Sequence, residues 1–166
     1  MHSKQGYNSK GWLKIPMNMK DNELEEDAEK FELHVAADNG NLKAVKEYLA
    51  LEYSPNVFDE IGRTPLHYAT RNEFFEIAEV LIQNGADINA HDEKTIGHTP
   101  IADIAGRCSL KMIQFLIKHG ANPNIRGWMR LSALETAAEN KSEDKWRIHD
   151  CLKTAAGKYP MEDIFN

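Results

Sequence analysis

Two stretches of the chain can be written one above the other: RTPLHYATRNEFFEIAEVLIQNGADIN, from Arg63 to Asn89, and HTPIADIAGRCSLKMIQFLIKHGANPN, from His98 to Asn124. Thr64-Pro65 falls on Thr99-Pro100, Leu81-Ile82 on Leu116-Ile117, Gly85-Ala86 on Gly120-Ala121 and Asn89 on Asn124, all 35 positions apart. An earlier copy, 33 positions away, sets Leu33-His34 on Leu66-His67, Leu49 on Ile82 and Asn56 on Asn89. A fourth, degenerate copy begins at LSALETAA, with Leu134 33 positions after Ile101. Its second half keeps register only if two extra residues are allowed near KSEDK, which brings Ile148, Cys151 and Leu152 onto Ile113, Leu116 and Ile117. A period of this length means stacked supersecondary units, each able to bury its apolar face only against its neighbours.

Each unit has one grammar. Thr-Pro opens a helix, the threonine capping free N–H groups and the proline standing at the first helical position, where its missing N–H costs nothing. After a turn, a second helix carries apolar residues on one face: Leu42, Val45, Tyr48, Leu49; Phe75, Ala78, Leu81, Ile82; Leu110, Ile113, Leu116, Ile117. Gly85 and Gly120 then stand where that helix stops. The connections to the next unit, including DEIG (Asp59 to Gly62) and DEKTIG (Asp92 to Gly97), have the composition of a turn or hairpin.

On Thr64-Pro65-Leu66-His67, Gly85-Ala86-Asp87-Ile88-Asn89, their partners at Thr99 to Ala102 and Gly120 to Asn124, and the inter-helix turn Asn39-Gly40-Asn41-Leu42, the chain resembles the ankyrin repeat family over roughly residues 31 to 156. The resemblance implies an all-α solenoid of about four helix-turn-helix repeats with short hairpin loops and an N-terminal capping helix. The expected division is a tail over 1–20, a capping helix over 21–31, repeats over 32–62, 63–97 and 98–129, and a degenerate fourth repeat with C-terminal cap over 130–166. The departures are Phe31-Glu32 in place of Thr-Pro, Ser132-Ala133-Leu134-Glu135 in the last unit, and Ala102-Asp103 in the third, where the family carries histidine. Deviations in the end units fit capping, since one of their faces meets water; those of the third do not.

Residues 1–20 hold four lysines and no acidic group, whereas Asp21 to Glu32 hold seven acidic residues against one lysine. The former read as a tail whose Tyr7, Trp12, Leu13 and Ile15 either pack back on the domain or form a partner-binding peptide; the latter read as the capping helix. A formal charge of −6 and a pI near 5.6 argue against a general nucleic-acid binder, which needs a cationic footprint. Two cysteines, Cys108 and Cys151, make no disulfide framework and no metal spacing. With no long apolar run and no signal-peptide core, the expected setting is the cytoplasm, free of membrane.

Candidate chemistry is thin. His34 and His67 recur at equivalent points, and in the resembled family this histidine ties neighbouring turns together. His91 and His98 flank an acidic loop without zinc or calcium spacing. Cys108, at the family's inter-helix glycine, and Cys151 read as small apolar fillers. No phosphate-binding loop, nucleophile elbow or dinucleotide fingerprint is present. The expectation is therefore a non-enzymatic protein with no catalytic residue, metal or cofactor.

In the resembled family the hairpin tips, the residue before Thr-Pro and the end of each first helix vary freely and line one concave face. Carried over by position, this marks Glu60, Ile61, Arg63, Arg71 and Asn72 in the second unit, Glu93, Lys94, Ile96, His98, Gly106 and Arg107 in the third, and Trp128, Met129, Leu131, Glu139 and Asn140 in the fourth. Arg130 takes the place of Gly62 and Gly97, so it must adopt a strained backbone or reshape the turn. Trp128 and Met129 are either partner contacts or, with Trp146, part of a folded-over C-terminal cap. The tract GANPNIRGWMRLSALETA is similar to small stand-alone bacterial ankyrin proteins. Some of these are immunity proteins that hold a secreted toxin inactive. The resemblance thus implies a protein partner, a cognate toxin or enzyme, bound roughly 1:1 by a chain that is monomeric when free. The alternatives are an adaptor or host-directed effector, or an accessory subunit of an enzyme.

Overall fold

A computed structural model describes residues 31–92 and 97–159, without the side chain of Trp128. The tail, most of the expected capping helix and part of the DEKTIG loop lie outside the described residues. Among those described there are eight α-helices and no strand: α1 (Glu32–Asp38), α2 (Leu42–Ala50), α3 (Pro65–Arg71), α4 (Phe75–Gln83), α5 (Pro100–Ile104), α6 (Leu110–Lys118), α7 (Ala133–Ala137) and α8 (Lys145–Ala156). They form four helix-turn-helix units stacked in register. The first helices pack in one layer, α1 on α3 on α5 on α7, and the second helices pack as α2 on α4 and α6 on α8.

Local chemistry starts the helices where the repeat pattern expects it. Asn41 Oδ1, Thr99 Oγ1 and Ser109 Oγ accept from the backbone N–H three residues on, at 3.1, 3.4 and 3.4 Å, and Ser132 forms a capping box with Glu135. In α3 the cap is completed by His67, whose Nδ1 accepts from Thr64 N at 3.0 Å.

The core has two parts. One gathers Leu33, Val45, Leu66, Ile77 and Leu81; the other gathers Ile101, Ile104, Met112, Ile113, Leu116, Ile148 and Leu152. Ile88 and Phe115 pack against both and make them continuous. In α8 the buried row is Ile148, Leu152 and Ala155, spaced by four and three. Leu152 therefore takes the deep position that Leu116 holds in α6, and Cys151 is only half-buried.

Between units, polar side chains at repeated positions close the backbone. Asn56 donates to Gly85 O at 2.9 Å and accepts from Asp87 N at 2.7 Å. Asn89 makes the same pair with Gly120 O and Asn122 N, and Asn124 donates to Ala156 O at 3.0 Å. Each asparagine donates to a carbonyl at or just after the second helix of the following unit, where intrahelical partners run out. His34 Nε2 donates to Val57 O at 2.9 Å, and His67 Nε2 donates to His98 O at 2.8 Å. The histidines tie neighbouring turns together, as the resemblance implies.

At Ala102 no ring is available, and the next connection meets its neighbour through backbone. A Cβ on Gly127 would lie 2.5 Å from Gly97 O and 2.8 Å from His98 Cα. Gly127→Ala is expected to cost about 1–3 kcal/mol in urea unfolding by overpacking this contact. Gly157→Ala is the control: its new Cβ meets nothing closer than 3.7 Å.

Candidate protein-binding face

The tip after α2 is a tight turn built on one aspartate. Asp59 N donates to Arg63 O at 2.9 Å and Gly62 N to Asp59 O at 3.0 Å, while the Asp59 carboxylate accepts from Ile61 N, Arg63 N and Tyr68 Oη. Gly62 closes it at φ 76°. The tip after α6 repeats this geometry 68 positions later: Gly127 N donates to Leu131 O at 3.1 Å and Arg130 N to Gly127 O at 2.9 Å. Arg130 stands at φ 59°, close to Gly62 and to Gly97 at φ 54°. The arginine thus adopts the strained backbone, and the turn is reshaped as well, because Met129 is also left-handed at φ 57°. Two consecutive non-glycine residues in this region cost about 1–2 kcal/mol each. Arg126 supports them, donating to Arg130 O at 2.6 Å and pairing with Glu135 at 3.2 Å.

The register places Trp128 and Met129 on the tip positions of Glu60 and Ile61. Ile61 is 41% exposed and Met129 67%. Trp146, on α8, is 77% exposed, so Met129 and Trp146 are not folded together under a C-terminal cap. The side chain of Trp128 and the residues Glu93, Lys94 and Ile96 lie outside the described residues.

Asp103, one of the third-unit departures, is the centre of the face. Its side chain is only 8% exposed, and its Oδ1 accepts from Arg63 Nη2 at 3.1 Å and Arg107 Nη2 at 3.0 Å. Arg107 Nη2 also donates to Asp103 O at 2.9 Å. The sequence singled out Arg63 and Arg107 but gave no pairing; the signal was Ala102-Asp103 standing where the preceding unit has His67-Tyr68. Burial pushes the His98 imidazole below its ordinary range, opposed by the Asp103 charge, while its carbonyl is held by His67.

The other marked residues divide. Glu60, Arg71 and Arg130 are exposed, and Arg71 makes no ion pair among the described residues. Asn72 is committed to the fold, donating to Asp38 O at 3.1 Å and Oδ1 at 2.8 Å. Asn140 is not on the face: it is buried, holding Ala105 O at 3.0 Å and accepting from Ser142 N. Glu73, missed in the sequence, sits at φ 57° in the position of Gly40 and accepts from Ser109 N at 2.7 Å and Ser109 Oγ at 2.8 Å, so its strained backbone is offset by a clip to the next unit.

No group of three or more His, Cys, Asp or Glu able to hold a metal occurs among the described residues, and no described helix is long and apolar enough to cross a membrane. Burial pushes the Cys108 thiol up to about 11, which keeps it protonated and unreactive.

Comparison with known proteins agrees with this architecture. A family model of ankyrin repeats in three copies matches residues 9–92, and a single ankyrin repeat model matches residues 96–128. The chain is 33% identical over 110 residues to the mouse B-cell lymphoma 3 protein homolog, covering 64% of this chain and 24% of that protein. It is 41% identical over 76 residues to a Rickettsia bellii protein described as an ankyrin repeat protein, covering 42% and 44%. It is 34% identical over 130 residues to human neurogenic locus notch homolog protein 1, covering 76% of this chain and 5% of that protein. The chain thus spans less than half the length of each of these relatives.

Proposed function

Because the chain belongs to the ankyrin repeat family, a family of protein-binding modules, we propose that it acts as a bacterial immunity protein that binds a cognate toxin and inactivates it by occlusion. The observation that carries this reading is the tip from Gly127 to Leu131: an exposed Met129 and, where the neighbouring tips use glycine, Arg130 are both held in left-handed backbone. Strain kept at an exposed tip is the mark of a position serving something other than the fold. Resemblance of the surrounding tract to small bacterial ankyrin proteins, and the similarity to a Rickettsia bellii relative, favour a bacterial setting.

Occlusion asks for no chemistry from this chain. It asks for a rigid concave face, supplied by the stacked units, and for a contact area near the roughly 800 Å² per partner of a stable complex. The apolar tips Ile61 and Met129 and the arginines beside them supply anchors of the kind that dominate binding energy. In this reading the complex is 1:1, the free chain is a monomer in the cytoplasm, and no turnover occurs.

Co-expression with a secreted toxin encoded beside this chain tests the proposal. Full protection at equimolar expression, lost with Ile61→Glu/Met129→Glu, is the expected result. Failure to protect against any neighbouring toxin overturns the immunity role, and recovery of the same chain bound to a host regulator places it instead among adaptors.

A further inference from the structure

The charges on the concave side are unequally spent. Four of its carboxylates are hydrogen-bonded within the fold: Asp103 by two guanidinium groups, Glu73 by Ser109, Asp59 by three donors of its own tip, and Asp38 by Asn72. Two of its guanidinium groups keep donors free. Arg71 ends α3, is exposed, and its guanidinium has no hydrogen-bond or ion-pair partner among the described residues. Arg107 follows α5 on the adjacent unit; its Nη2 is used by Asp103, while Nε and Nη1 have no partner among the described residues. The two arginines flank one point of the stack, since Cys108, next to Arg107 in the chain, has its Sγ 3.7 Å from Arg71 O. Burial, then the Glu73 and Asp103 charges, raise the pKa of that thiol, and the Arg107 and Arg71 charges act on it in the opposite direction. Arg63 and Arg107 share the one Asp103 carboxylate, so the Arg107 guanidinium keeps donors to spare, and Arg71 adds a guanidinium with none in use.

Resting on the protein-binding reading above, we propose that Arg71 and Arg107 form a docking patch for a carboxylate-rich segment of the partner protein, with Arg63 and Asp103 as the scaffold that fixes Arg107. Guanidinium groups present paired donors that match a carboxylate two-on-two, and a group already fixed by a neighbour loses less freedom on binding. The fit is local: the molecule carries a net charge of −6, and Glu60 and Glu139 stand exposed on the same side. A short acidic segment is accepted at such a patch, whereas a long polyanion such as nucleic acid meets repulsion at its edges.

Fluorescence anisotropy of labelled octaglutamate with the full chain at low ionic strength tests the patch without requiring the native partner. Octaglutamate is expected to bind, to weaken as salt is raised, and to lose about tenfold or more in affinity with Arg71→Gln/Arg107→Gln, while octalysine and oligothymidylate bind more weakly than octaglutamate. Arg71→Gln alone touches no internal contact, so its weakening cannot come from misfolding. Arg147→Gln, which removes a guanidinium paired with Asp144 on α8, leaves binding unchanged. The proposal is overturned if octaglutamate does not bind, if the double variant binds it as the parent does, if Arg147→Gln weakens it equally, or if oligothymidylate binds more tightly. Peptide binding without toxin protection overturns the immunity role alone; protection without peptide binding overturns this patch alone.

Discussion

Replacing His67 with alanine is expected to destabilise the fold by about 3 kcal/mol, from the loss of two buried hydrogen bonds and the cavity left by the ring. The imidazole is fully buried and has a donor on one side and an acceptor on the other. Thr64 N points at Nδ1, and Nε2–H points at His98 O. Only the neutral tautomer fits, because a proton on Nδ1 would face the Thr64 N–H. Burial, the largest cause, lowers the pKa from 6.5 to about 4. The unfolded chain therefore binds the proton more readily than the folded one, so the stability this group supplies is present above pH 6.5 and is lost as pH falls towards 4. The loss over that window is roughly 3 kcal/mol. His34, lowered mainly by burial too, adds in the same direction. Urea unfolding followed from pH 7 to pH 4.5 should show the parent losing stability on acidification and His67→Ala losing much less. Parallel pH dependence of the two proteins would refute the assignment.

Asp103→Ala is the second large effect. Removing one partner from a fully buried ion pair costs about 3–5 kcal/mol; here Arg63 is one-fifth exposed and Arg107 close to half exposed, so solvent screens what remains and about 2 kcal/mol is expected. The double variant Asp103→Ala/Arg63→Ala should recover part of that loss, since it leaves one fewer unpaired charge. Additive losses in a double-mutant cycle would show that the two residues do not interact in solution.

What the sequence made legible follows the repeat. Asn56, Asn89 and Asn124 stand at equivalent positions and share one bond to the next unit, and the alignment of Arg130 with Gly62 and Gly97 left a strained backbone or a reshaped turn, of which the tip shows both. These are contacts between equivalent positions, which a period reveals. Contacts between non-equivalent positions are invisible to it. Arg63 meets Asp103 across 40 positions, Asn72 turns to Asp38, and Glu73 to Ser109. Asn140 lies at the start of the stretch where the last unit needs two extra residues, and there the register that marked it as a face residue fails: its side chain turns inward to Ala105 O. The same lengthening moves the deep position of α8 from Cys151 to Leu152.

The most direct test of a concave face used for protein recognition is capture of partners from the native cell by the tagged full chain, in parallel with Ile61→Glu/Met129→Glu and with Leu51→Glu, an exposed residue at the end of α2 that belongs to none of the tip positions. One protein retained at a 1:1 ratio by the parent and by Leu51→Glu, and lost from the tip variant while its thermal unfolding is unchanged, is the predicted result. Equal retention by all three, or loss on Leu51→Glu with the tip variant still binding, would contradict it.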